Sequence, residues 1–157
     1  MSTIITKGES IDRMESQLLC NPDALIGHET DGLFSLTHHF TPGVYARQLT
    51  VLKGYAAVGH RHKHEHLNVV LTGKALVVVE GGEPQIVEAP AVFKSEAGKR
   101  KAVVALEDFT IMNIHATEET DLKLIEEQTV EKSKDFDAMQ QLVEEAKQIA
   151  GGILWRG

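Results

Sequence analysis

The chain has a single cysteine, Cys20, among its 157 residues, so no disulfide can form within it, which suits a reducing compartment. It lacks long hydrophobic runs, and nothing reaches the roughly 18 apolar residues a membrane-spanning helix needs. The opening residues, Met1-Ser2-Thr3-Ile4-Ile5-Thr6-Lys7-Gly8, hold too short an apolar stretch for a secretory signal. Basic charge is also in short supply: 16 Lys and Arg against 23 Asp and Glu leave a net charge of -7. Such a surface repels phosphate backbones, and the one dense basic run, Lys99-Arg100-Lys101, is too short to reverse that. The expectation is a soluble, cytoplasmic protein that binds neither nucleic acid nor membrane.

What is present is ordinary for a folded protein: 42% hydrophobic and 25% charged residues. The length fits one domain, 1–157, with a proper core. It divides into an N-terminal helical arm (1–31), a β region (32–117) and a C-terminal helix with tail (118–157). In the arm, Ile11, Met14 and Leu18 share one face of a helix over 9–20, which Asn21-Pro22 ends. Its expected role is to pack on the β structure, with Cys20 as a buried small apolar residue rather than a nucleophile.

From 32 to 117, short runs rich in Val, Ile, Leu, Thr and aromatics alternate with turn signals. Strands are expected at Val44–Leu52, Leu67–Leu71 and Ala75–Val79, then a hairpin turn at Glu80-Gly81-Gly82-Glu83-Pro84. Gln85–Val87, Ala91–Lys94, Ala102–Leu106 and Thr110–His115 follow. Many short, evenly spaced strands indicate a sandwich or barrel. Over 133–150, Phe136, Met139, Leu142, Val143, Ala146, Ile149 and Ala150 make the stripe of an amphipathic helix. Ser133 or Asp135 can cap its start and Gly151-Gly152 its end; Trp155 follows in the tail.

Half of the eight histidines fall at positions 60, 62, 64 and 66. Neutral imidazole is a common ligand for Zn, Fe, Ni, Cu and Mn. Residues i and i+2 of a strand share a face, so His60 and His62 can offer two nitrogens to one ion. On a straight strand His60 and His66 would lie about 20 Å apart, too far for a shared ion. A common site therefore needs a chain reversal at Lys63-His64-Glu65, after which His66 opens the next strand. His64 then sits at the turn's tip, in solvent. Glu65 is an alternative ligand to His66. Gly54 and Gly73 bracket the unit at bends.

With Gly54, His60, His62, His66 and Gly73 in register, the segment resembles the first motif of the cupin superfamily: Gly, five residues, His, one residue, His, three or four residues, Glu, six residues, Gly. Only the Glu is replaced, by His66. The second cupin motif is degenerate. Its best placement runs through Pro90, Glu96, Gly98, Lys101 and Ala105, and keeps only Gly98. The resemblance covers roughly 40–117 and implies a mainly β fold: a double-stranded β-helix, or jelly-roll, barrel carrying a short N-terminal helix and a C-terminal amphipathic helix. It implies a homodimer too.

It further implies a divalent metal ion (Fe, Zn, Mn or Ni) held by His60, His62 and His66, with open positions for water or substrate. His115, on the last expected strand, is either a fourth ligand or a hydrogen-bonded structural histidine. Lys101 takes the place of the second motif's ligand. If it points inward it binds an anionic group or works as an acid/base; if the strand is shifted it is solvated. Tyr55 is expected at the pocket mouth, and His28, His38 and His39 are read as structural. Three neutral ligands leave the ion strongly electrophilic, which favours a small anionic substrate. The implied activity is that of a dioxygenase- or isomerase-type enzyme, with a lyase also in range. A non-catalytic barrel holding a sugar, nucleotide or anion is the other reading.

Overall fold

A computed structural model of the chain describes residues 10–20, 34–138 and 141–142. The elements run α1 (Ser10–Leu19), β1 (Phe34–Thr41), β2 (Val44–Val51), β3 (Ala56–Val58), β4 (Arg61–His62), β5 (His66–Thr72) and β6 (Lys74–Val79). Then come β7 (Gln85–Glu88), β8 (Ala91–Ser95), β9 (Lys101–Ala105), β10 (Phe109–Ala116), α2 (Leu122–Thr129) and β11 (Val130–Glu131). Two antiparallel sheets carry the fold, one of five strands in the order β1-β2-β10-β5-β8 and one of four in the order β3-β9-β6-β7. Apart from the consecutive pairs β1-β2 and β6-β7, neighbours in the sheets are distant in sequence, the crossed-over connectivity of a jelly roll.

Alternation along the strands decides what lies between the sheets. In β5, His66, Asn68 and Val70 are buried while Leu67 and Leu71 are exposed. Strand pairing aligns such inward positions into layers across the five-stranded sheet. Leu49, Ile111 and Val70 form one layer; Val51 and Phe109 form the next, at the far end. With Ala75, Val77 and Ala105 from the smaller sheet they make the hydrophobic core. The core occupies one end of the barrel, and the inward positions towards the other end are polar.

Tight turns hold this arrangement. Gly73 joins β5 to β6 with φ +82°, a conformation open to glycine. A methyl group there would also run into the backbone carbonyl of Asp108. Gly54 turns in the same way after β2, with φ +86°.

Outside the barrel, α1 lies near β3 with Ile11 buried. Arg100 clamps it from below: its buried guanidinium meets Asp12 at 2.9 Å and Glu15, and its Nε donates to the Gly59 carbonyl at 3.1 Å. The α1 bounds match the sequence expectation, but Cys20 at its end is exposed rather than buried. It follows the last residue of α1, beyond the face that Ile11 buries.

The C-terminal part departs from expectation. Sequence placed its one helix at 133–150, yet α2 forms earlier, over 122–129. Asp121 starts it by accepting from the Lys123 and Leu124 backbone N–H groups at 2.9 and 3.1 Å, and Ile125 and Thr129 are buried beneath it. Two turns with only two buried positions give too short a periodic signal to stand out. A further helical stretch does start near 133: the Ser133 hydroxyl accepts from Phe136 N–H at 3.1 Å, and residues 134–138 and 141–142 are helical. Residues 139–140 and 143–150 of the expected helix, with Gly151, Gly152 and Trp155, lie outside the described residues, as does His28.

After α2, β11 pairs with β4 in the register Val130↔His62. The helix therefore sets the strand that backs His62. Asp121→Ala is expected to lower the unfolding free energy by about 1 kcal/mol, the usual value of such a cap. Urea unfolding followed by circular dichroism measures this, and an unchanged midpoint would show that the cap contributes nothing.

Candidate metal centre

The barrel's polar end is built on three strands. β4 contributes His62, β5 His66 and β10 His115, and all three side chains are buried. One ring nitrogen from each lies within 4.8 Å of the others. Ring centroids stand 4.2 Å apart for His62–His66, 4.7 Å for His66–His115 and 5.5 Å for His62–His115. The expected reversal is present: residues 63–65 are exposed between β4 and β5, with His64 and Glu65 in solvent. Glu65 pairs with Lys94 at 3.3 Å, away from the cluster.

His60, expected as a ligand, is not part of this group. Its ring packs edge-on against Phe136 at 4.5 Å between centroids. The even-spacing argument requires an unbroken strand, and residues 59 and 60 belong to neither β3 nor β4. The two rings therefore leave the chain in different directions. His115 occupies the third place instead, aligned with inward-facing Tyr45 on β2.

The rings are chemically prepared for a metal. His66 Nδ1 donates to the His64 carbonyl at 3.2 Å, which leaves Nε2 deprotonated, and that atom is buried with no partner. His62 Nδ1 is likewise buried and unpartnered. A buried polar atom without a partner is costly, and a bound cation would satisfy these lone pairs. Burial pushes the His62 pKa down to about 2, helped by His66, Lys101 and His115. Burial also pushes His115 down to about 4, with His66 and Lys101 adding to it. His66 is lowered by burial and Lys101, against its carbonyl bond. All three are thus neutral at pH 7, the form that ligates. The donor set fits a divalent ion, and three nitrogens leave room for further ligands.

Lys101 points inward, the first of its two expected placements. Its Nζ donates to Asn68 Oδ1 and to Ser95 Oγ at 3.1 Å, and lies 5.6 Å from the centre of the Phe93 ring. Burial, then the charge of Arg47, brings its pKa down to about 8. Asn68 Nδ2 in turn donates to Ser95 Oγ at 2.8 Å and to the Phe93 carbonyl at 3.3 Å. Sequence reasoning missed Asn68, Ser95, Arg47 and Asn113. For Asn68 the signal was its i+2 spacing from His66 on an otherwise apolar strand. Tyr55, expected at the pocket mouth, sits in the turn after β2 and bonds through its backbone to Ala105, at the apolar end. Six residues of strand separate Tyr45 from Val51, about 20 Å, so Tyr55 is remote from the cluster. His38 and His39, read as structural, bond to Tyr45 Oη at 2.7 Å and Gln48 Oε1 at 3.0 Å.

No family model and no curated protein matches the sequence. Solved structures do match the fold. DMSP lyase DddQ from Ruegeria pomeroyi superposes with a TM-score of 0.51 at 17% identity, over 61% of this chain and 53% of its own. KdgF from Halomonas sp. gives 0.48 at 19% identity, over 57% and 83% of the two chains. An RmlC-like cupin from Shewanella frigidimarina gives 0.47 at 18% identity, over 54% and 77%. The two antiparallel sheets and their crossed-over connectivity make this a double-stranded β-helix, or jelly-roll, barrel, and the match to DddQ agrees with that fold.

Proposed function

We propose that this protein holds one divalent metal ion on His62, His66 and His115 and acts as an enzyme on a small anionic molecule inside the barrel. The observation that carries the reading is the trio of buried, neutral imidazoles, two of them with buried ring nitrogens that have no partner. A bound ion would supply Lewis-acid or redox chemistry at the open positions. The chain's own contribution is to fix ligand orientation and to keep a proton-carrying group close. His66 is oriented by the His64 carbonyl. Lys101, held by Asn68 and Ser95, exchanges a proton readily near neutral pH because its pKa is about 8.

Fold does not select the reaction. Iron at this site would favour a dioxygenase; zinc, which has no redox chemistry, would favour an isomerase or lyase. Elemental analysis of protein purified without a histidine tag and without added metal tests the reading. About one equivalent of a single transition metal per chain is expected from three-ligand sites of this kind. A chain that stays metal-free, and takes up none of Fe, Zn, Mn or Ni on dialysis, refutes it. Turnover of small acids under air and under nitrogen then separates oxygen chemistry from isomerisation. Metal uptake without turnover of any of them would favour the non-catalytic binding barrel.

A further inference from the structure

The five-stranded sheet that supplies His66 and His115 contains no aspartate or glutamate. In a chain with 23 acidic residues this is a marked exclusion. Strand β9, which faces the sheet with Lys101, has none either. The inward layer next to the histidines reads Arg47, Asn113, Asn68 and Phe93 across β2, β10, β5 and β8. Lys101 enters this layer from the opposite sheet through its bond to Asn68.

Two cations therefore share a partly buried layer with no acid on the strands that form it; the acid whose charge reaches Tyr45 and His60, Glu126 on α2, is paired with Lys132 at 3.0 Å. Among the described residues, the Arg47 guanidinium has no hydrogen-bond or ion-pair partner. Lys101 commits two of its three N–H bonds to Asn68 and Ser95, which leaves one free. Asn113 Oδ1, in the same layer, is buried and unpartnered. Unbalanced buried charge is expensive, and a bound anion is what offsets it. Phe93 and Asn68 fix Lys101 in place, so its remaining donor is pre-aimed.

We propose that Arg47 and Lys101 form a carboxylate subsite one layer below the three histidines. The ligand is a short-chain carboxylic acid whose second oxygen function reaches the histidine layer, with Asn113 Oδ1 accepting from a ligand hydroxyl. Successive inward residues of a strand are about 6.7 Å apart, a gap that a short dicarboxylate or a hydroxy- or oxo-acid bridges. The inference deepens the proposed function and rests on its placement of the ligand in the barrel.

Calorimetric titration with succinate and with uncharged succinamide tests it. Wild-type protein, Arg47→Met and Lys101→Met are each measured zinc-loaded and after chelator treatment. Succinate is expected to bind wild type at least about tenfold more tightly than succinamide, since a charge-assisted bond is worth that much or more. Each substitution is expected to remove most of that preference while leaving succinamide unchanged. Arg47 is only half-buried, so its variant remains informative if Lys101→Met fails to fold. The preference should survive chelation, because the two cations need no metal. Equal binding of acid and amide, absence of binding by both, or a preference lost on chelation but untouched by the substitutions would each overturn the subsite. If no metal binds yet the preference depends on Arg47 and Lys101, the subsite stands and the metal reading fails.

Discussion

His115→Ala is expected to weaken zinc binding by about a hundredfold or more, while His60→Ala leaves it nearly unchanged. Outer-sphere partners of metal ligands already contribute 10–100-fold to affinity, so about a hundredfold is a floor for a ligand itself. The contrast is informative because the resemblance in sequence counted His60 as a ligand. It placed His60 among the ligands and left His115 open as a fourth ligand or a structural residue. In the structure His115 stands 4.7 Å from His66, ring centre to ring centre, whereas His60 contacts Phe136 at 4.5 Å. His60→Ala removes an aromatic contact and is expected to cost about 1 kcal/mol of stability without touching the site. Competition titration against a chromophoric chelator reads both variants. Zinc loss on His60→Ala, with retention on His115→Ala, would restore the ligand set implied by the motif. His62→Ala and His66→Ala should behave as His115→Ala does.

Much of the barrel was legible because period-two alternation is strong where one strand face is buried. Val44–Leu52, Leu67–Leu71 and Thr110–His115 all lie within a residue of β2, β5 and β10. Strand β1 was not resolved as a strand because Thr37-His38-His39 interrupts its apolar signal; only its pairing with β2 reveals it. Strands β3 and β4 are too short to show a period. The separation of His60 from the other three rings has the same origin: the spacing rule assumes an unbroken strand, and the gap between β3 and β4 is not visible in sequence. The turn between His62 and His66 was legible because the alternative, a straight strand, is geometrically incompatible with one ion. Arg47 and Asn113 were not, because whether a polar strand residue faces in or out depends on register, and these two are paired across 66 positions of sequence.

Acid should destabilise the metal-free protein steeply between pH 6.5 and 5. The folded-state pKa values of His62 and His115 lie below the ordinary 6.5, at about 2 and about 4, and His66 and His60 are lowered as well. Burial is the first cause in each case. Between the folded and unfolded pKa the unfolded chain binds more protons, so stability rises with pH across that window. The contribution is complete above 6.5 and drains away as pH falls towards the folded values. Each histidine held neutral contributes up to about 1.4 kcal/mol per pH unit, so His62 and His115 alone give about 2 to 3 kcal/mol between pH 6 and 5. Against a typical total of about 5–15 kcal/mol, that is a large fraction. Carboxylates do not confuse the window: Glu80 and Glu96, whose pKa values are lowered by Arg61 and Lys99, lose their contribution only at lower pH. Urea unfolding of chelator-treated protein at pH 7.5, 6.0 and 5.0 measures the slope, and a flat profile would mean the rings are protonated or solvated in the folded state. Zinc should shift the whole curve upward, by about 2.7 kcal/mol at a hundred times its Kd. The gain should shrink with acid, since the same nitrogens must shed their protons to bind the ion.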